Sequence, residues 1–513
     1  MMRVGVYVQV PFCQTKCTYC NFHTGVVSSA RFAPYVEAVC REIREHRELL
    51  EAARVDWPGR LGRSSSLAAA RDKAAPLQGR GETPSEDLVV DTVYIGGGTP
   101  SLLDPMHLQS ILDAIRSTFR LDPKTGVSNQ KNVGDKAPHS KMPASEGGRY
   151  SLNSDDEGTS QEKAGTEPLR SKAPASEGGR YSWNSEGEGA SKKKSGVEPP
   201  HSKTPACPQS AGQAPGGRYS SEFVEVTLEA DPETIEPEKA AAWVRAGINR
   251  VSFGVQSFAD KELVAAGRMH RRADIYRAAP ILRDAGIRNI GFDLIAGLPH
   301  QTKESWQQSL EELAALAPEH VSVYLLEIDE GSRLGREVLQ GGARYSAGAL
   351  PNEDEMAEFY ETAQEFLSRT GYRHYEISNW AKPGYESRHN LKYWRREPYL
   401  GFGAGAHSFS GTERWANAHD AAAYASALQS GRLPVEQLEM VTAERALEEE
   451  LFLGLRQLDG IDISRIEREY DVKLAERFEP LASAGLVERN GNVVRLAPAR
   501  LSISNEVFVE LMR

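Results

Sequence analysis

Short apolar or alternating stretches recur along the chain, and helical spacing follows them. Val4–Phe12 (VGVYVQVPF) reads as a first strand. Ala30–Leu50 follows it with Phe32, Tyr35, Val36, Val39 and Ile43 on one helical face. Asp91–Ile95 (DTVYI) is the next strand, running into glycines, and His107–Phe119 the next helix. Glu222–Glu229, Ile248–Gln256, Ile287–Ala296 and His320–Ile328 supply four further strand candidates. Strands alternating with helices predict βαβ units and a parallel sheet. Six such units are too few for a closed eight-fold barrel, so the expectation is an α/β fold built as a partial (β/α)6, TIM-like barrel.

Two stretches break this rhythm. Residues 53–86 are rich in Arg, Ser, Gly and Pro and have little periodicity. Residues 122–221 contain a polar repeat: SKMPASEGGRYS at Ser140–Ser151 returns as SKAPASEGGRYS at Ser171–Ser182, and a decayed copy runs from Ser202 to Ser220. So few apolar side chains cannot offset the entropy of ordering the chain, so both stretches are expected to be disordered insertions. Cys207, inside the second, carries no expected role. From 373 onward the pattern changes. Arg373–Trp380 reads as a strand and Glu444–Leu458 as an amphipathic helix. Two further helical stretches and a hairpin turning at Asn490-Gly491 follow in winged-helix order. The expected organisation is a barrel from 1–52, 87–121 and 222–372, with a C-terminal α+β domain over 373–513.

Composition narrows the function classes. The 61 Lys and Arg residues against 72 Asp and Glu leave a net charge of −11, the wrong sign for a nucleic-acid-binding protein. No run of about 18 apolar residues predicts a transmembrane helix. Of the five cysteines, three fall within eight residues, which suits a metal site in a reducing compartment better than a disulfide scaffold. A cytoplasmic location is the corresponding expectation.

Those three are Cys13, Cys17 and Cys20, in C-x3-C-x2-C spacing directly after the first strand. Three thiolates on one loop can hold three irons of a [4Fe–4S] cube and leave the fourth iron open. Zinc is the competing reading, but it takes four ligands, often as paired C-x2-C units, and no second pair exists. Three buried structural thiols are a poorer account, since Gln14, Thr15 and Lys16 stand between them. With this motif at the end of a first strand, the sequence resembles the radical SAM superfamily. There the open iron chelates S-adenosylmethionine, and the cluster supplies the electron that cleaves it.

The resemblance extends along the chain. Gly96-Gly97-Gly98-Thr99-Pro100 closes the second strand, where Gly97, Gly98 and Thr99 let backbone approach a ligand; a tight turn is the plainer reading. Glu229 in TLEADP would meet ribose hydroxyls, unless it is a surface acid. Gln256 in FGVQSF, Arg268 in AAGRMH and Asp293 in GFDLIAGLP complete the implied S-adenosylmethionine site. An Asp inside an apolar strand is costly to bury without a partner. Tyr7 and Tyr19 flank the cluster motif and either line its pocket or simply pack.

Taken together, these motifs resemble oxygen-independent coproporphyrinogen III oxidase and, more closely, the heme chaperone HemW family. The oxidase branch carries a fourth cysteine two residues after the third; here that position is Phe22. His389, Asn390, Tyr393 and Trp394 form an HNxxYW motif that the resemblance associates with heme, against the alternative of an ordinary loop anchor. His407 in GFGAGAHSF is a second porphyrin-facing candidate, equally readable as a packing turn. The implied protein binds heme, a [4Fe–4S] cluster and S-adenosylmethionine and passes heme to hemoproteins, with reduced flavodoxin or ferredoxin as a possible electron donor. The alternative is radical oxidative decarboxylation of coproporphyrinogen propionates.

Overall fold

The computed structural model describes residues 2–53, 88–122 and 225–511. The two expected insertions and Cys207 lie outside the described residues, apart from the insertions' first residues, Ala53 and Asp122. Six strands carry the barrel: β1 (Met2–Val10), β2 (Leu88–Gly97), β3 (Glu225–Ala230), β4 (Arg250–Gln256), β5 (Asn289–Ala296) and β6 (His320–Leu325). All six run parallel, in the spatial order β1-β2-β3-β4-β5-β6. Each is followed by at least one helix, including α1 (Phe32–Ala53), α2 (Pro105–Thr118), α3 (Pro237–Ala246), α4 (Arg272–Ala285), α5 (Lys303–Leu316) and α6 (Glu353–Arg369).

The two faces of each strand differ in chemistry, and that difference creates the lumen. Val4, Val6, Val8 and Val10 of β1 are buried in one apolar core with Val39 and Ile43 of α1 and Ile111 and Ile115 of α2. Full burial of each such side chain contributes roughly 1.5–3 kcal/mol. Val251, Phe253 and Val255 of β4 and Ile290, Phe292 and Leu294 of β5 repeat the pattern. The alternate positions face the other way and are polar or small: Tyr7 and Gln9, Thr92 and Tyr94, Thr227 and Glu229, Arg250, Ser252 and Gln256, Gly291 and Asp293, His320 and Ser322. A barrel lined by polar groups can hold a polar ligand where an apolar one would be a packed core.

Local signals set the helix ends. Asp104 accepts the Met106 N–H and Pro105 opens α2. Thr302 and Ser305 form a capping box at α5, as do Asn352 and Glu355 at α6. The described residues on either side of the second insertion pair with one edge of β2. Arg120–Leu121 pairs with Val89–Val90, and β3 pairs with Thr92–Ile95. These flanking residues are thus held close together by the sheet.

Beyond 372 the structure departs from the expectation. Arg373–Trp380 is not one strand but a tight hairpin, β7 (Arg373–Glu376) and β8 (Asn379–Ala381). The buried Glu376 carboxylate accepts the Ser378 N–H in the turn. β8 pairs antiparallel with β6. The short helix α7 (Arg388–Trp394) then leads to β9 (Tyr399–Phe402), which pairs parallel with β1 on its free edge. β10 (His407–Phe409), β11 (Glu413–Asn417) and β12 (Val435–Met440) extend that edge antiparallel. One sheet therefore runs across the expected boundary at 372/373, because both barrel edges are capped by strands from beyond it. The winged-helix order holds in the last segment, where Ile461–Asp462 joins the hairpin Val487–Asn490/Val493–Leu496 as a three-stranded sheet.

Candidate functional site

The cysteine loop leaves β1 at Val10 and is fastened at several points. The Gly98 N–H donates to the Val10 carbonyl (2.8 Å) and the Thr99 N–H to the Phe12 carbonyl (2.7 Å). Gly98 must be glycine here, since a Cβ would stand 2.4 Å from the Phe12 carbonyl oxygen. On the far side, the Thr18 N–H donates to the Ala266 carbonyl and the Leu334 N–H to the Thr18 carbonyl. The three thiols are free and half-buried, and all three line a cavity of about 840 Å3. Desolvation, with weaker repulsion from neighbouring groups, raises the thiol pKa of Cys13 and of Cys20. Without a cation these thiols stay protonated; an iron centre would draw off their protons and restore them as thiolates. Among the described residues no other cysteine lines the cavity, and Phe22 is 64% exposed, so the donor set fits a cube with one iron left open.

Opposite the thiols, the strand ends present polar groups. Glu229 is half-buried, with one carboxylate oxygen accepting the Tyr94 hydroxyl (2.8 Å) and the other the Gly97 N–H (2.9 Å). Desolvation pushes its pKa up to about 7. Gln256 ends β4 with φ of 64°, a left-handed conformation that costs a non-glycine residue about 1–2 kcal/mol. The Arg268 guanidinium donates to Asp231 and to the Gly254 carbonyl, and it approaches the Cys17 sulfur at 3.5 Å. Asp231 also accepts the Thr99 hydroxyl at 3.0 Å. Asp293 accepts the Ser252 hydroxyl (3.0 Å), and burial raises its pKa.

The cavity wall contains Tyr19, Gly97, Gly98, Thr99, Glu229, Gln256, Arg268 and Asp293 together with the three cysteines. Asn390, Tyr393 and Trp394 of α7 line the same cavity. Two expected residues do not. Tyr7 points into the lumen but donates to Gln9 (2.5 Å) and stacks near Tyr94, behind the wall. His389 is 1% exposed, and both ring nitrogens are engaged, Nδ1 with the Thr92 hydroxyl and Nε2 with the Tyr393 hydroxyl, each at 2.9 Å. His389 thus lies behind the cavity wall, because α7 lays its first turn over Gly5 of β1 and Thr92 of β2. His407 is exposed outside the cavity, beside His419 and His23.

Sequence reasoning passed over Arg250, Ser252 and His320, which also line the cavity. Their signal was the polar parity of β4 and β6, shared with Gln256 and Ser322. It becomes readable only once that face is known to point into a lumen.

The chain matches two family models, the Radical SAM superfamily over residues 209–313 and the HemN C-terminal domain over 441–499. The first implies a [4Fe–4S] cluster and S-adenosylmethionine as cofactors, in keeping with the donor set above. In fold, the chain is similar to the solved structure of Escherichia coli coproporphyrinogen III oxidase (HemN), with a TM-score of 0.64 and 17% identity over all of this chain and 89% of that one. The Mycobacterium tuberculosis heme chaperone HemW is 28% identical over 95% of this chain and 89% of its own. Bacillus subtilis heme chaperone HemW is 37% identical over 56% of this chain and 76% of its own length. At that identity and coverage, the chain belongs to the heme chaperone HemW family of radical SAM proteins.

Proposed function

We propose that this protein is a heme chaperone: it binds heme beside a [4Fe–4S] cluster and S-adenosylmethionine and hands the heme to hemoproteins. One observation carries the reading. A single cavity joins the three thiols to Asn390, Tyr393 and Trp394, so a tetrapyrrole packed on the two aromatic rings would lie in the same space as the cluster.

Cys13, Cys17 and Cys20 would hold the cluster, which when bound with S-adenosylmethionine supplies reductive cleavage of the sulfonium. The chain's own groups set the surroundings. Glu229 and Gln256 stand where they can accept from and donate to ribose hydroxyls. Arg268, fixed by Asp231, places positive charge beside Cys17, where it stabilises a thiolate. Asp293 offers an acceptor deeper in the lumen, and Tyr19 closes the loop side. His389 acts through Tyr393: its Nε2 fixes the phenol, so it is a positioning residue for the aromatic wall and not the iron ligand. The curated relatives named heme chaperones support heme as the cargo.

The test is anaerobic reconstitution followed by a heme titration and a coproporphyrinogen assay on one preparation. The expected result is about one heme per chain by Soret absorbance, with no vinyl-bearing product. Vinyl product formed with consumption of S-adenosylmethionine, and no heme binding, would establish the oxidase instead.

A further inference from the structure

Arg250 is a buried cation that makes no salt bridge among the described residues, Asp293 acting on it only at a distance. It opens β4, is 1% exposed, and lines the cavity. Its Nε and Nη1 have no hydrogen-bond partner, and no carboxylate lies within ion-pair distance among the described residues. Other buried arginines of this protein are compensated: Arg268 by Asp231, and Arg396 by Glu449. A buried guanidinium without a contacting anion is costly, so its place at the cavity wall suits an anion from outside the chain.

A second donor converges on the same place. His320 is 1% exposed and also lines the cavity. Its Nε2 lies 2.7 Å from the Tyr375 hydroxyl, which itself accepts the Ser387 N–H. The phenol proton therefore goes to Nε2, and the imidazole carries its own proton on Nδ1. That Nδ1–H is unpartnered. Burial, followed by the charge of Arg250, holds the ring neutral. Arg250 Nη2 and His320 Nδ1 each lie 3.3 Å from the point a Gly291 side chain would occupy. Glycine at 291 thus lets both donors come close over the same stretch of β5, where a Cβ would press on each. Asp293, two residues on, is occupied by Ser252.

We infer that Arg250 and His320 form a carboxylate-binding subsite in the lumen, deepening the proposed function and resting on it. A guanidinium fork matches a carboxylate. The two ligands of that reading each supply one: the propionates of heme and the methionyl carboxylate of S-adenosylmethionine.

The experiment titrates reconstituted full-length wild type and Arg250→Met with four probes: heme, heme dimethyl ester, S-adenosylmethionine and its decarboxylated form. Wild type should prefer one acid over its capped or decarboxylated partner, and Arg250→Met should bind that acid roughly 10- to 100-fold more weakly, with the neutral partner unchanged. Loss of the heme preference assigns a propionate; loss of the S-adenosylmethionine preference assigns the methionyl carboxylate. In ligand-free protein the same substitution should raise the urea midpoint, because it removes an unpaired buried charge. A lowered midpoint with both preferences intact would make Arg250 a structural residue and overturn the subsite alone. Wild type that binds neither heme nor S-adenosylmethionine would overturn the functional reading with it.

Discussion

The seat of α7 and the cavity wall are built on the same strands, β2 and β3, and both are rich in polar groups. In the seat the buried Lys392 and Glu225 are met within the chain. Lys392 lies 2.9 Å from Asp91 and 3.0 Å from Glu397, and the Glu225 carboxylate accepts the Arg388 and His389 N–H groups at the start of α7. Along the wall a few groups are left without partners in the chain. The Cys13 and Cys20 thiols are pushed up in pKa by burial, and Arg250 Nε and Nη1 have no hydrogen-bond partner. Polar groups satisfied within the chain hold the fold; those satisfied only from outside it mark where ligands go.

The sharpest way to test that division is at the thiols. Changing Cys13, Cys17 or Cys20 singly to Ser is expected to abolish the visible iron–sulfur absorbance after anaerobic reconstitution, since each thiolate holds one iron. The same variants, ligand-free, should unfold in urea within about 0.5 kcal/mol of wild type. A serine variant that keeps four irons per chain would remove that cysteine from the site.

The seat should behave in the opposite way. Lys392→Met strands Asp91, whose pKa burial already raises against the pull of Lys392, and should cost about 3–5 kcal/mol in urea unfolding. Adding Asp91→Asn should recover part of that loss. If Lys392→Met unfolds like wild type, the ion pair does not hold α7 and the contrast between the two regions fails.

The sequence made the wall more legible than the seat, for a physical reason. Cysteine spacing and glycine runs carry their chemistry locally, so Cys13–Cys20 and Gly96–Gly98 point to a ligand before any fold is known. The six parallel strands were readable because apolar runs such as Val4–Val10 and Ile290–Leu294 persist where one strand face meets helices. β9 to β12 were not, since they are short, and GFGAGAHSF is dense in glycine; their pairing with β1 comes from the far end of the chain. The place of His389 behind the wall was hidden for the same reason. Its neighbours Thr92 and Glu225 are remote in sequence, and nothing local distinguishes a histidine that faces a ligand from one that braces a tyrosine.

That bracing histidine gives the smallest of these effects and the one with a defined pH signature. Burial, with Lys392 and Arg250 nearby, lowers the His389 pKa to about 3. The folded chain therefore refuses a proton that the unfolded chain takes up near pH 6.5. The stability this contributes is present above pH 6.5 and is lost as pH falls toward the folded value. Glu229, raised to about 7, works in reverse: its contribution is present below pH 4.5 and is lost as pH rises through 7. His389→Ala should cost about 1–3 kcal/mol at pH 7.5, where Thr92 and Tyr393 lose their partner. Below pH 6.5 the gap to wild type should narrow by about 1.4 kcal/mol per pH unit, because the variant no longer carries that proton-uptake difference. Urea midpoints at pH 7.5, 6 and 5 measure it. A gap constant across that range would mean that His389 is protonated or solvated in the folded chain, and the hydrogen-bonded brace between Thr92 and Tyr393 would not survive.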